Sequence, residues 1–206
     1  MKTAGLLLAA GASERFGSQD KLLADLGGRP MVSYAAEALR GIDLACKIAV
    51  ISNEALRREL PDFDCVTRIG FVTSQSASLQ TGMQEVLSHD VDRVLIVLGD
   101  MPFVTPLSLQ RLLEAYCVDR GSGSINGAQR CPPACFPRGS FHELMAQSGD
   151  QGARTLLHKL PSEALVTLSD REALDIDTQD QIGLYADIAQ TDLGRVGTDA
   201  QFIKKP

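Results

Sequence analysis

Apolar runs alternate with amphipathic stretches along this chain in the order that strand–helix units take, starting with an almost unbroken apolar run at 3–8. A strand that is apolar on both faces has to be covered on both, so this run reads as an inner strand of a parallel sheet. Further strands are expected at 47–51, 66–69, 93–98, 124–126, 133–136 and 165–168, and helices at 31–39, 54–60, 79–87, 107–116, 141–146 and 153–159. Two helix starts carry recognisable caps. Thr105-Pro106 sets a hydroxyl acceptor before a proline at the first helical position, where a missing N–H costs nothing, and Thr178 with Gln181 reads as a capping box. Gly121-Ser122-Gly123 marks a loop, beyond which the pattern is shorter and less regular, as if the second half adds an antiparallel or mixed edge to the sheet. From 191 to 206 the chain is polar and weakly periodic, which sets a domain at 1–190 apart from a tail packed on the surface or partly mobile.

Composition narrows the class. The 206 residues suffice for one domain that buries a central sheet under helices on both faces, and 44% hydrophobic against 22% charged residues is the balance of a soluble globular protein. Lys and Arg total 20 against 26 Asp and Glu, and a net charge of −6 argues against broad binding to nucleic acid while leaving room for a small basic site for phosphates. No stretch approaches the roughly 20 apolar residues that span a bilayer, so no membrane partner is expected. The first residues imitate a signal peptide, with one lysine, a short apolar run and Ala10-Gly11-Ala12 resembling a cleavage site. Cleavage there would remove the chain's one candidate for a first strand leading into a glycine loop. The five cysteines are odd in number and unevenly spaced, which suits reduced thiols, mostly small core residues, and a cytoplasmic protein.

The candidate chemistry begins where the first strand ends. From Leu8 through Ala9, Ala10 and Gly11 to Ser13, Arg15, Phe16, Gly17 and Lys21, small residues let backbone N–H groups approach phosphate oxygens, and Arg15 and Lys21, set in a polar loop, offset triphosphate charge. Neither a dinucleotide fingerprint nor a Walker sequence is present, because five residues separate Gly11 from Gly17 and no Gly-Lys pair follows; a structural turn is the plainer alternative. A second strand ends in Gly99-Asp100-Met101-Pro102, and in open α/β sheets such ends face the ligand crevice, which suits Asp100 as a magnesium ligand; a turn or cap aspartate is the alternative. In Asp175-Ile176-Asp177, alternate residues of an extended segment put both carboxylates on one side, where one of them joins Asp100 on Mg²⁺ or simply faces a helix N-terminus. Ser76 and Ser78 precede a helix and offer either caps or hydrogen bonds to a base or ribose, and Arg154, just after Gly149-Asp150-Gln151-Gly152, suits a bidentate grip on an acceptor phosphate. Cys131, Cys135 and His142 lack a fourth ligand for zinc, and no Gly-x-Ser-x-Gly elbow is present.

Together, Leu8-Ala9-Ala10-Gly11-x-Ser13-x-Arg15-Phe16-Gly17-x-x-Asp20-Lys21, Ser78-Leu79-x-x-Gly82, Gly99-Asp100-Met101-Pro102, the Gly149–Arg154 block and Asp175-Ile176-Asp177-Thr178 resemble the MobA-like NTP transferases, most closely their molybdenum cofactor cytidylyltransferase branch. The resemblance implies a Rossmann-like α/β three-layer sandwich with a mostly parallel mixed sheet. It implies that the Leu8–Lys21 loop binds the nucleotide, that Ser78 and Gly82 surround base and sugar, and that Asp100 and Asp177 hold Mg²⁺. Arg15, Lys21 and Asp100 would then be the catalytic groups for CMP transfer from CTP to a phosphorylated pterin, and a molybdoenzyme or cofactor-insertion protein would receive the product. One departure falls on the acceptor side, where Cys131-Pro132 stands in place of the Gly-His or Gly-apolar pair of many relatives. Transfer to a sugar phosphate or methylerythritol phosphate, and a non-catalytic nucleotide-binding cofactor chaperone, are the competing readings.

Overall fold

The computed structural model describes residues 1–11, 16, 20–67, 74–149 and 152–199, the last nine of these by backbone only. Seven strands form one sheet: β1 (Thr3–Ala9), β2 (Cys46–Ile51), β3 (Asp64–Thr67), β4 (Arg93–Leu98), β5 (Ser122–Asn126), β6 (Gln129–Pro137) and β7 (Leu165–Thr167). Their order is β3-β2-β1-β4-β6-β5-β7, and β6 alone runs against the rest, so the sheet is mixed and mostly parallel, as expected. The helices are α1 (Val32–Arg40), α2 (Gln75–Ser88), α3 (Pro106–Glu114), α4 (Phe141–Met145), α5 (Arg154–Lys159) and α6 (Gln179–Asp199).

The period of two along each inner strand divides the core into two layers. Leu7, Ala49, Ile51, Leu95 and Val97 face α1, α3 and α6, whereas Leu6, Ile48, Val50, Val94 and Ile96 face α2, α4 and α5. Adjacent residues of β1 thus anchor opposite cores, each full burial of a leucine being worth about 1.5–3 kcal/mol. Against the second face α2 lies so close that a Cβ on Gly82 would meet Leu6 Cδ1 at 2.6 Å and Val50 Cγ2 at 2.8 Å.

Several boundaries differ from the sequence expectation for identifiable reasons. α2 begins at Gln75 rather than at 79, because Ser74 is the cap, its hydroxyl accepting from Ala77 N at 3.2 Å. Ser76 and Ser78 therefore lie inside the helix, in a run of small residues that hides the start of the apolar period. The expected helix at 54–60 is a short 3-10 helix at Glu54–Arg58, whose one buried residue, Leu56, gives no apolar face long enough to dock a full helix. Only one of the cysteines, Cys135, is fully buried; the other four are partly exposed, and all five are free. Both caps read from sequence are present: Thr105 Oγ1 accepts from Ser108 N at 3.2 Å, and at α6 Gln181 Oε1 accepts from Thr178 N while Thr178 Oγ1 accepts from Gln181 N. α6 runs on to Asp199, through the start of the stretch that polarity sets apart as a tail. Among the described residues no helix is long and apolar enough to cross a membrane.

One irregularity shapes the site. β6 pairs with β4 as far as Ala134↔Ile96, and its register with β5 jumps from Gly123↔Ala134 to Ser124↔Cys131. Pro132 and Pro133 fall in the jump, where residues without an N–H interrupt the ladder at least cost. Beyond it the β5–β6 hairpin parts from β4.

Candidate active site

The parting of β4 and β6 opens a cleft of about 580 Å³, within the usual size for a small-ligand site. β1 and β4 are parallel neighbours in register Leu8↔Leu98, and the strands that follow them in the chain lie toward opposite edges of the sheet, β2 beside β1 and β5 beyond β4, so their carboxyl ends form the kind of crevice in which α/β sheets bind ligands. Ala10 and Gly11 follow β1 on one wall, Asp100 and Met101 follow β4 on the floor, and Gln129, Arg130, Cys131 and Pro132 of the hairpin form the far wall.

Lys21 lies at the centre. It opens a short 3-10 helix (Lys21–Leu23) whose cap is Asp20, with Oδ1 accepting from Leu22 N at 3.0 Å, and buried Leu22 pins the turn to the core. From there the ammonium donates to Asp100 Oδ2 and to Asp177 Oδ1, each at 2.8 Å. The lysine side chain is 6% exposed, against 23% for Asp100 and 41% for Asp177, so the cation is sealed while the carboxylates reach the solvent. Burial pulls the lysine pKa down, but the charge and hydrogen bond of Asp100, then those of Asp177, outweigh it and leave the pKa above its ordinary value.

Two backbone contacts bring the distant aspartates together. Ile176 N donates to Asp100 O at 3.0 Å, and the Ile176 side chain is fully buried, so Asp175 and Asp177 on either side of it are turned to the cleft. Asp177 N in turn donates to Gln181 Oε1 at 2.7 Å, which ties the segment to the first turn of α6. Asp175 is a third carboxylate; burial of its inner side, followed by repulsion from Asp177 and Asp100, raises its pKa, although its outer side is exposed at the cleft mouth.

The sequence-derived candidates are distributed unequally. Leu8, Ala10, Gly11, Lys21, Ser78, Asp100, Arg154 and Asp177 all line the cleft. Ala9 packs into the opposite core layer, Phe16 is buried away from the cleft lining, and Gly82 lies in the α2–sheet contact. Ser13, Arg15 and Gly17 lie outside the described residues. On the far wall Arg154 is exposed at the start of α5, just after Gly152, whose φ of +50° favours a residue without Cβ and which lies against Gln75 of α2.

Gln75, Asn126, Gln129 and Arg130 also line the cleft, and nothing local in the sequence singles them out. Arg130 Nη1 donates to the carbonyls of Leu157, His158 and Leu160, closing the end of α5, a role visible only once β6 is paired and α5 docked. Burial pushes the Cys131 thiol up, away from the thiolate a nucleophile needs. Among the described residues no group of three or more His, Cys, Asp and Glu is disposed as a metal cluster.

Comparison with known proteins bears on this geometry. The model of the MobA-like NTP transferase domain matches residues 5–164. The bifunctional protein GlmU of Desulfitobacterium hafniense is 25% identical over 169 residues, 79% of this chain but 35% of that protein, so the chain spans about a third of the length of such relatives. The probable molybdenum cofactor guanylyltransferase of Pyrococcus horikoshii is 25% identical over 184 residues, covering 82% of this chain and 88% of that one. Among solved structures, Rv0371c of Mycobacterium tuberculosis superposes with a TM-score of 0.77 at 24% identity over 91% of this chain and 99% of that one. A complex of the same protein with manganese gives 0.73 at 23% identity, over 91% and 99%.

Proposed function

The chain belongs to the MobA-like NTP transferase family, and from that premise we propose that it is a nucleotidyltransferase that transfers CMP from CTP to the terminal phosphate of molybdopterin or its molybdenum cofactor, releasing pyrophosphate. The observation that carries the reading is the convergence of Lys21, Asp100 and Asp177, drawn from three separate chain segments, at the carboxyl ends of β1 and β4. Such a centre manages phosphate charge and has no nucleophile of its own, which is what a direct transfer between two phosphates requires.

In that reaction an ionised oxygen of the acceptor phosphate forms a bond to the α-phosphorus, and the bond from that phosphorus to the bridging α–β oxygen breaks in line. The electron pair leaves with pyrophosphate, and no general base is needed. The chain's contribution is position and charge. Backbone N–H groups around Gly11 and the charges of Lys21 and Arg15 receive the triphosphate, and Arg154 on the opposite wall orients the acceptor phosphate. The donor set fits a divalent ion, because two hard carboxylates already converge on one cation and keep solvent-facing surface, and Mg²⁺ takes one or two carboxylates with phosphate oxygens and water completing its shell. Asp100 and Asp177 would hold it, and when bound it supplies charge stabilisation to the triphosphate; the manganese complex of a protein of this fold supports the same choice.

CTP is favoured over GTP by Ala10, whose methyl group narrows the nucleotide wall, and the exposed amide of Gln129 on the far wall suits a heterocycle with hydrogen-bonding edges such as a pterin. The test is pyrophosphate release from each triphosphate with molybdopterin, a sugar phosphate and methylerythritol phosphate as acceptors. Release fastest with CTP and molybdopterin is expected. Release confined to a sugar phosphate or methylerythritol phosphate would reassign the acceptor, and triphosphate binding without release under any acceptor would mark a carrier.

A further inference from the structure

The placement of Asp177 relative to Asp100 depends on how two chain segments, 100–108 and 169–177, are held side by side. At the cleft the join is the bond from Ile176 N to Asp100 O at 3.0 Å. One hydrogen bond acts as a pivot, since it fixes a distance and leaves a broad range of angles open. Farther along both segments the Arg171 guanidinium lies over the Phe103 ring, 4.7 Å from its centroid, and Glu172 reaches the start of α3. Glu172 Oε1 accepts from Ser108 Oγ and from Thr105 Oγ1, the latter at 3.1 Å. Its Oε2 accepts from Ser169 N at 3.1 Å and from Ser169 Oγ at 2.8 Å. One carboxylate thus closes its own turn with one oxygen and grips the neighbouring segment with the other.

The side chains of the second segment divide by direction. Ala173, Asp175 and Asp177 line the cleft, whereas Leu174 packs against the core, Ile176 is buried and Glu172 holds α3. The aim of the cleft residues is therefore set by the neighbours that face away from it. Glu172 is half-buried at the positive end of α3, where an anion is favoured. Burial pushes its pKa up, but the hydrogen bonds from Ser108, Ser169 and Thr105 outweigh it and hold the carboxyl below its ordinary value. We propose that Glu172 is a positioning residue for the reaction: by tying its turn to the start of α3, it turns the pivot into a fixed joint and sets the angle at which Asp177 meets Asp100. This rests on the metal site proposed above. Mg²⁺ tolerates little departure from octahedral geometry, and loss of the groups that orient metal ligands commonly weakens metal binding by about 10–100-fold.

Two substitutions separate position from charge. Glu172→Ala removes every one of these bonds. Glu172→Gln removes the charge but keeps the shape: its carbonyl can accept from Ser169 N while its amide donates to Ser108 Oγ, since a hydroxyl can reverse its role. Mn²⁺ is titrated by electron paramagnetic resonance into each full-length protein, with and without a non-hydrolysable CTP analogue, and the kinetics are read with Mg²⁺. Glu172→Ala is expected to weaken Mn²⁺ binding and lower kcat by about tenfold each, with KM for the acceptor unchanged because Arg154 is on the opposite wall. Glu172→Gln should stay within about threefold of wild type in both. A Glu172→Ala protein that is less stable in urea yet keeps wild-type Mn²⁺ affinity and kcat overturns the proposal, and so do equal losses in the two variants, which would assign the effect to charge. Should Glu172→Ala fail to fold, Ser108→Ala removes one donor from Oε1 and leaves the Thr105 cap; it should weaken Mn²⁺ binding severalfold, and unchanged affinity overturns the proposal. Absence of Mn²⁺ binding by the wild type, with or without the analogue, removes the metal site and this inference together, whereas wild-type binding that ignores Glu172 removes only the inference.

Discussion

The two walls of the cleft are built on different principles. The near wall and floor come from neighbouring parallel strands whose ends are set by an in-register ladder and locked by the Ile176–Asp100 backbone hydrogen bond. The far wall comes from a hairpin that leaves the sheet at a pair of prolines and from a six-residue helix whose end is closed by Arg130. The first wall presents a charge cluster fixed from three directions; the second presents side chains on a short turn and a hairpin tip. A rigid wall suits the chemistry that every member of such a family shares, and a wall of loops suits the partner that varies between members.

The hardest test of that division is Asp100→Asn. It should lower kcat by about 100-fold or more while changing melting temperature little, because the lost charge matters most as negative charge moves to the leaving pyrophosphate. Turnover within a few fold of wild type at saturating Mg²⁺ would break the assignment of chemistry to the floor. Next, Arg154→Ala should raise KM for the acceptor by about 10–100-fold, as for a lost charge-assisted hydrogen bond, with KM for CTP unchanged. An equal rise in both would mean that the walls are not separate.

Gly82→Ala sharpens the comparison from beneath. The added methyl meets Leu6 and Val50, so unfolding stability should fall by about 1–3 kcal/mol in urea titration, while KM for CTP in the folded enzyme holds. A raised KM at unchanged stability would instead support the binding role that the family pattern implies for this glycine. Ala10→Gly should lower the ratio of kcat/KM for CTP to that for GTP by up to about tenfold, which paired kinetics with one acceptor would read; no change would remove base selection from the near wall.

The smallest effect concerns pH. Asp175 has its folded pKa raised above its ordinary 3.8, so at neutral pH the folded protein carries a carboxylate charge that the unfolded chain carries more easily. That penalty is present above the raised folded value and disappears as pH falls through it to the ordinary one. Asp175→Asn should therefore melt slightly higher than wild type at pH 7.5, with the difference vanishing near pH 3.5. A constant difference across that range would assign the effect to packing.

What the sequence discloses follows the same division. β1 and β4 are legible because buried parallel strands are written as continuous apolar runs, and the residues just after them are legible because the carboxyl ends of such strands face the ligand crevice. That one of Asp175 and Asp177 joins Asp100 is read from the chemistry of Mg²⁺, and the choice of Asp177 comes from the family resemblance, although the matched family segment ends before that residue is reached. Lys21 is where local reading falls short. Its neighbours Ser18, Gln19 and Asp20 describe a polar loop, and only docking of the 175–177 segment encloses its ammonium. Gln129 and Arg130 are illegible for a similar reason, since their direction depends on a register jump across the strand pair. Gly82 shows the converse case, a residue that belongs to the family pattern yet whose contacts are with leucine and valine.

The hydrogen bond from Ile176 to the Asp100 carbonyl also gives the molecule a clock. The proton on that nitrogen is held for as long as the two carboxylate-bearing segments lie together, and it passes to solvent when they separate. Its exchange lifetime is thus a record, in seconds or hours, of how long the assembled floor survives between openings. One amide reports on it through deuterium from the solvent, without a substrate or a substitution.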